Sequence, residues 1–209
     1  MFNPELDLDD SLILHTDLYE INMMYTYFKK GISERKAVFE VYFRKEPFGN
    51  GYALFAGLSH MIDYIKKIHF AESDLQYLKE NENYDDDFIS YLRNLKINLT
   101  VRSAQEGELV FANEPIVQVE GPLAQCQLVE TAILNIINFQ TLIATKAARV
   151  KIAVGDQAIM EFGSRRAQET DAAIWGTRAA YIGGFDATSN VRAGKLFGIP
   201  ISGTHAHSL

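Results

Sequence analysis

The chain has 209 residues, 47% of them hydrophobic and 22% charged, and a net charge of −7. This is the composition of an ordinary folded, soluble protein with one large domain or two small ones. A single cysteine, Cys126, excludes an internal disulfide framework and any multi-cysteine metal site, and makes a reducing cytosol the default compartment.

Charge is distributed unevenly. Residues 1–139 hold 12 Lys/Arg against 22 Asp/Glu, whereas residues 140–209 hold 8 against 5. A locally basic segment in an acidic protein fits a small anionic ligand better than a nucleic-acid backbone, which the rest of the chain would repel. The start, F2-N-P-E-L-D-L-D-D, is acidic and has no basic-then-apolar leader.

Taken in chain order, Thr16 is a plausible N-cap for a first helix, with Asp17 and Glu20 favourable to its dipole and Gly31 at its stop. Leu18, Ile21, Met24, Tyr25 and Phe28 give that helix its apolar face. A37-V-F-E-V-Y-F-R alternates as a strand, and P47-F-G-N-G is a loop. Leu58, Met61, Ile62, Ile65 and Ile68 mark a second helix. Ser73 with Gln76 forms a capping box for a third, and Phe88, Leu92 and Leu95 mark a fourth.

From 97 to 122 the pattern changes to short strands, I97-N-L-T-V-R, E108-L-V-F-A and I116-V-Q-V-E, separated by Gly- and Pro-containing turns. A boundary near Pro122 divides an α+β segment, 1–122, from a segment 123–209 of different character. The apolar run Leu123–Val150 is interrupted by Glu130, Asn135, Asn138, Gln140, Lys146 and Arg149, so it reads as a buried helix and not a membrane span. After it come a strand at 157–162, a helix at 171–182, a strand or turn at 184–187, a helix at 189–197 and a strand at 198–202. Strands alternating with helices imply parallel pairing, hence an α/β class and the opening strands of a barrel.

Three turns carry the chemistry. In E161-F-G-S-R-R, a strand ending in Gly-Ser-Arg puts N–H groups, a hydroxyl and guanidinium forks at the edge where α/β folds bind ligands. Arg165 and Arg166 suit phosphate or carboxylate, and Phe162 can face an aromatic ring. The plainer alternative is a core phenylalanine with two surface arginines. In G183-G-F-D-A-T-S-N, Gly183 caps one helix and Thr188-Ser189-Asn190 heads the next, where free N–H groups suit an anion. Simple N-capping by Thr188, Ser189 or Asp186 is the alternative. In G203-T-H-A-H-S, His205 and His207 share a face if extended, yet no local carboxylate or cysteine completes a metal site. Imidazole as nucleophile or acid/base fits better, with a structural histidine pair as the alternative.

Taken together, T16-D-L-Y-E, F111-A-N-E-P, the helix L128-V-E-T-A-I-L-N-I-I-N-F-Q-T-L-I-A-T-K-A-A-R, E161-F-G-S-R-R-A-Q, A179-A-Y-I-G-G-F-D-A-T-S-N and G203-T-H-A-H-S closely resemble nicotinate phosphoribosyltransferase, from about residue 11 onward. Two departures stand out: Glu169-Thr170 where Gly-Pro is typical, and Ala187 where Gly is usual, which matters if that position needs positive φ. The resemblance implies a reaction joining nicotinate to phosphoribosyl pyrophosphate, coupled to ATP through a phosphohistidine, with Mg²⁺. It implies His207 as the phosphorylated residue and Thr204 as a nicotinate contact. Tyr19 and Phe162 would cover the two faces of the pyridine, Tyr19 commonly from the second subunit of a homodimer. Arg165 would hold phosphate or carboxylate, as would Arg166. Ser189 falls where nicotinamide-using relatives carry an acid, and a neutral hydroxyl there suits a pyridine carboxylate.

The family is about twice this length or longer, so the resemblance further implies an N-terminal portion whose barrel is incomplete and whose Mg²⁺ ligands lie elsewhere. Two other expectations follow: a non-enzymatic folding or dimerisation fragment, or transfer to nicotinamide or quinolinate in place of nicotinate.

Overall fold

The structure, a computed structural model, describes residues 11–205. In chain order the elements are α1 (Leu18–Lys29), β1 (Lys36–Val41), β2 (Ala53–Leu54), α2 (Leu58–Lys67), α3 (Glu72–Glu82), α4 (Asp86–Arg93), β3 (Thr100–Ser103), β4 (Leu109–Val110), β5 (Val117–Pro122), α5 (Leu123–Leu128), α6 (Glu130–Val154), β6 (Met160–Glu161), α7 (Glu169–Ile182), β7 (Ala187–Thr188) and α8 (Val191–Phe197). Short 3₁₀ turns occupy Pro47–Gly49 and Ser164–Arg166. This is an α/β protein, as the alternation of helical and strand patterns predicts. The described residues form two compact units, one of residues 11–40, 59–102 and 118–134, the other of 41–58, 103–117 and 135–205.

In the first unit, helical periodicity buries one face of each helix. Ile21 and Met24 of α1, Met61 and Ile65 of α2, Leu75 and Leu78 of α3, and Phe88 and Leu92 of α4 are all buried. Each is worth about 1.5–3 kcal/mol when taken fully out of water. Tyr25, Phe28, Tyr84, Phe88 and Tyr91 add a cluster of tilted and edge-on rings, 5.0–5.6 Å apart for the pairs Phe88 makes with Tyr25, Phe28 and Tyr84. The sheet has the order β1-β5-β3.

Two expected caps are replaced. Thr16 does not cap α1: Asp17 is the N-cap, and the Thr16 hydroxyl donates instead to the carbonyl of Leu128 at 3.3 Å. The Ser73–Gln76 box gives way to a start two residues earlier, with Ala71 as the N-cap, where the Asp74 carboxylate accepts the Ala71 N–H at 2.9 Å. Gln76 spends its amide on Glu80, one turn on. Asp85 caps α4 by accepting the Phe88 N–H at 3.0 Å.

The long apolar run expected as one helix is two, broken at Val129. The buried Glu20 carboxylate supplies the reason. Its Oε1 accepts both the N–H (3.1 Å) and the hydroxyl (2.6 Å) of Thr131, substituting for the carbonyl that a continuous helix would offer.

In the second unit, Thr141 and Thr145 lie four apart on α6 and so share a face. Their hydroxyls accept the Ala56 and Leu54 N–H groups at 3.2 and 2.8 Å, satisfying backbone that would otherwise be buried unpaired. Leu54, Ala56, Ala144 and Ala179 make the adjoining core, with Ile143, Ala148 and Ile182 packed on it. β2 pairs antiparallel with β4. β6 and β7 are parallel, with α7 as the crossover, and Ile201 bridges in parallel to Thr188 on the other side of β7. Among the described residues, no helix is long and apolar enough to cross a membrane.

Candidate functional site

The parallel strands are shorter than the sequence implies, and side chains explain why. The Ile159 N–H goes to the Asp186 carboxylate at 2.8 Å, so β6 begins only at Met160. That bond, with Lys151 as the second cause, also holds the Asp186 carboxyl below the ordinary range. On the far side, Thr188 N–H donates to Pro200 O and Ser202 N–H to Thr188 O. Pro200 has no N–H to extend this ladder, leaving a bridge where a strand over 198–202 was expected. Gly194 lets α8 close against this segment, since a Cβ there would stand 2.3 Å from Ile201 Cγ2.

Beyond the ends of these strands opens a cleft of about 810 Å³, lined by Phe162, Ser164, Arg165, Arg166, Ser189, Val191, Ile201, Ser202, Gly203 and Thr204. Five of the residues singled out from sequence, Phe162, Arg165, Arg166, Ser189 and Thr204, thus converge on one wall-to-wall site. The 3₁₀ turn Ser164–Arg166 carries both arginines. Both are exposed, and among the described residues neither forms an ion pair. Among the described residues no acid lines the cleft. Phe162 is 43% exposed, so it is not the core phenylalanine of the plainer reading. Two guanidiniums without an ion pair among the described residues, four hydroxyl side chains and an open aromatic face are groups that can hold an anion carrying a ring.

The Thr188-Ser189-Asn190 run divides its labour differently from expectation. Asn190, not Thr188, Ser189 or Asp186, caps α8, accepting the Ala193 N–H at 3.0 Å. Thr188 is fully buried, and its hydroxyl bonds Glu161. Ser189 is left exposed to the cleft, its N–H tied to Glu161 O at 3.0 Å. Ala187 lies on β7 opposite Met160 and is not among the residues with positive φ, so alanine is accommodated there. Glu169 is the reverse case: it sits at φ 69°.

Tyr19 belongs to the first unit and is not among the residues lining this cleft. Its ring is half-exposed, and its hydroxyl donates to Glu130 Oε1 at 2.9 Å. Burial of that hydroxyl end, the Glu130 hydrogen bond and the charge of Glu20 together hold the phenol proton well above the usual tyrosine range. His205 is exposed and does not line the cleft. His207 lies outside the described residues. Among those residues, no group of three or more His, Cys, Asp or Glu side chains could hold a metal ion. Sequence reasoning gave no role to Val191, Ile201, Ser202 and Gly203 of the lining, nor to Glu161 behind it. For Glu161 a signal existed, a strand-end carboxylate directly before the arginine turn.

Fold and cleft define an α/β protein with an arginine-lined cleft at the carboxyl ends of parallel strands. The model of the nicotinate phosphoribosyltransferase (NAPRTase) N-terminal domain matches residues 14–138. Nicotinate phosphoribosyltransferase of Bacillus subtilis is 62% identical over 201 residues, covering 96% of this chain and 41% of that protein. The Caenorhabditis elegans nicotinate phosphoribosyltransferase is 46% identical, covering 95% and 36%. The crystal structure of human nicotinic acid phosphoribosyltransferase is similar with a TM-score of 0.86 at 40% identity, over 92% of this chain and 39% of that one. A nicotinate-nucleotide pyrophosphorylase from Pyrococcus furiosus shares the fold, with a TM-score of 0.75 at 24% identity over the whole chain and 46% of its own. The chain belongs to the nicotinate phosphoribosyltransferase family. It spans about two fifths of the length of these two curated relatives.

Proposed function

We propose that this chain supplies part of the active site of a nicotinate phosphoribosyltransferase, which joins nicotinate to phosphoribosyl pyrophosphate in the first step of NAD synthesis from nicotinate. The observation that carries this reading is the cleft itself: Arg165 and Arg166 unpaired among the described residues, no lining acid, and Phe162 exposed beside them. The names of the Bacillus subtilis and Caenorhabditis elegans relatives, both nicotinate phosphoribosyltransferases, support it.

In the proposed reaction the pyridine nitrogen forms a bond to the ribose anomeric carbon as the bond to pyrophosphate breaks. Positive charge grows on the ribose and negative charge on the leaving group, so catalysis rests on orientation and on charge placed around the phosphates. Arg165, with Arg166, receives phosphate or carboxylate oxygens; Phe162 covers one pyridine face, and Ser189 and Thr204 offer hydroxyls. Ser189 adds no negative charge to repel the pyridine carboxylate. Tyr19 covers the other face from the second copy in a homodimer. His207 takes a phosphoryl group from ATP, and the phosphorylated form changes substrate affinity without lying on the path of ribosyl transfer.

Arginines and hydroxyls do not suit a divalent cation, so the ligands of Mg²⁺ are proposed to lie outside residues 11–205. The single cysteine, Cys126, is buried and free, which supports a cytosolic setting. In the same reading, the segment after Pro122 opens an α/β barrel that residues 1–209 leave incomplete.

The test is formation of nicotinate mononucleotide from nicotinate and phosphoribosyl pyrophosphate, with and without ATP. Residues 1–209 alone are expected to give no product, and the chain extended to the length of its relatives to give ATP-stimulated product. In that extended protein, H207A removes the stimulation and R165A cuts turnover, while nicotinamide and quinolinate compete poorly. Preference for either competitor over nicotinate overturns the assignment.

A further inference from the structure

Glu161 stands behind the cleft and touches both of its walls. Its Oε1 accepts the Gly163 N–H, which turns the chain from β6 into the arginine-bearing 3₁₀ turn. Its Oε2 accepts the hydroxyls of Thr177 at 2.8 Å and Thr188 at 2.9 Å, both buried. Its backbone oxygen accepts the Ser189 N–H at 3.0 Å.

The Thr188 hydroxyl passes the link on, because while donating to Glu161 it accepts the Asn190 N–H at 3.0 Å. Asn190 in turn caps α8. Thr177 also reaches the Ala173 carbonyl at 2.8 Å, but one hydroxyl hydrogen cannot serve both, and a charged acceptor makes the stronger bond. Among the described residues no cation pairs with Glu161, so its charge is held by N–H and O–H donors alone. It does not itself line the cleft. One carboxylate therefore fixes the Phe162–Arg166 wall and the Ser189 wall relative to each other, at the ends of β6 and β7.

We propose that Glu161 is a positioning residue: through Gly163 and Thr188 it sets the spacing between the arginine turn and Ser189, and so the affinity of the cleft for a polyphosphate. This rests on the reading that the cleft takes such an anion. Glu161 touches no ligand and acts only through the residues it holds.

The experiment uses the 209-residue chain, with inorganic pyrophosphate as probe and calorimetry as readout, on the unsubstituted protein and on E161A, T188V, T188S and R165A. Displacing a positioned group by about 1 Å costs on the order of 10- to 100-fold. E161A and T188V are expected to weaken pyrophosphate by about that factor, while T188S, which keeps the hydroxyl, stays within a few-fold of the unsubstituted chain. Hydrogen exchange at the Gly163 and Ser189 amides should speed up in E161A.

A role confined to stability would lower the unfolding midpoint yet leave the folded protein's affinity unchanged. Equal affinity in E161A and the unsubstituted chain overturns the proposal and leaves the cleft reading intact. Absence of pyrophosphate binding in the unsubstituted chain, or unchanged binding in R165A, overturns both. Should E161A fail to fold, the T188V and T188S pair decides, because both leave the carboxylate in place.

Discussion

Arg178 grips Glu106 at two points, Nη1 to Oε1 at 2.8 Å and Nη2 to Oε2 at 2.7 Å, with both side chains only 18% exposed. Glu106 Oε1 also accepts the Gly57 N–H at 2.7 Å, and the guanidinium lies 5.8 Å from the Phe197 ring centre. The pair thus ties α7 to the loop before β4 and to the turn after β2. Removing one partner strands a charge that is largely shielded from water. R178M is expected to cost about 2–3 kcal/mol, below the roughly 3–5 of a fully buried pair because some solvent reaches this one. R178K should recover little, since an ammonium cannot reproduce the fork. Urea unfolding midpoints of the two variants check this; full recovery in R178K would contradict the bidentate account.

Gly183 ends α7, but not through the left-handed backbone that a capping glycine usually supplies. Its φ is −74°, and its N–H bonds Ala179 O. What the position requires is space: a Cβ would stand 2.5 Å from Ala144 O and 2.6 Å from Ala147 Cβ on α6. G183A is therefore expected to destabilise by about 1–3 kcal/mol, as overpacking does, although alanine is the better helix former. A compensating A147G should return part of the loss in a double-mutant cycle of thermal unfolding; strict additivity would show that the two do not meet.

These residues mark what the sequence discloses and what it withholds. Periodicity located the helices, and five cleft residues were readable because Gly-Ser-Arg and Thr-Ser-Asn at the ends of apolar runs combine turn geometry with anion-binding groups. Strand lengths were not readable: whether Ile159 bonds a backbone or the Asp186 carboxylate is settled 27 residues away. The break at Val129 was hidden for the same reason, since the Glu20 carboxylate that starts α6 comes from α1. Thr16 and Ser73 carried sound local signals for N-caps, and tertiary partners outbid them. Glu161 was visible as a residue and invisible as a hub, because its partners Thr177 and Thr188 lie 16 and 27 positions on.

Glu169 begins α7 at φ 69°, a left-handed conformation that costs a residue with a Cβ about 1–2 kcal/mol. It is also the position where the sequence resemblance expects glycine. E169G relieves the strain but gives up a carboxylate in the first turn of a helix, worth about 0.3–1 kcal/mol. The net expectation is stabilisation by about 0.5–1 kcal/mol, larger at high salt, where the dipole interaction is screened. Unfolding of both proteins at low and high ionic strength measures the two contributions separately. A destabilised E169G at high salt would mean the backbone there is not strained.

The tyrosines of the first unit give the chain an alkaline limit. Burial, then the charge of Glu82, pushes Tyr84 up to about 12; burial, then the charge of Glu34, does the same for Tyr91. Tyr64 is shifted further in the same direction by burial and by Glu20. Unfolded, all three ionise near 10.0. A folded-state pKa above the unfolded one gives stability that is intact below pH 10 and is lost as pH rises through the folded values. Stability should therefore fall between about pH 10 and 12, and the phenolate absorbance of the folded chain should lag that of the urea-unfolded chain across that interval. Tyr64 allows a sharper version, because its buried hydroxyl has no hydrogen-bond partner among the described residues. Y64F removes an unsatisfied polar group without opening a cavity, so it should raise stability at neutral pH by about 1 kcal/mol and flatten part of the alkaline fall. A loss of stability in Y64F at neutral pH would show that the hydroxyl is bonded after all.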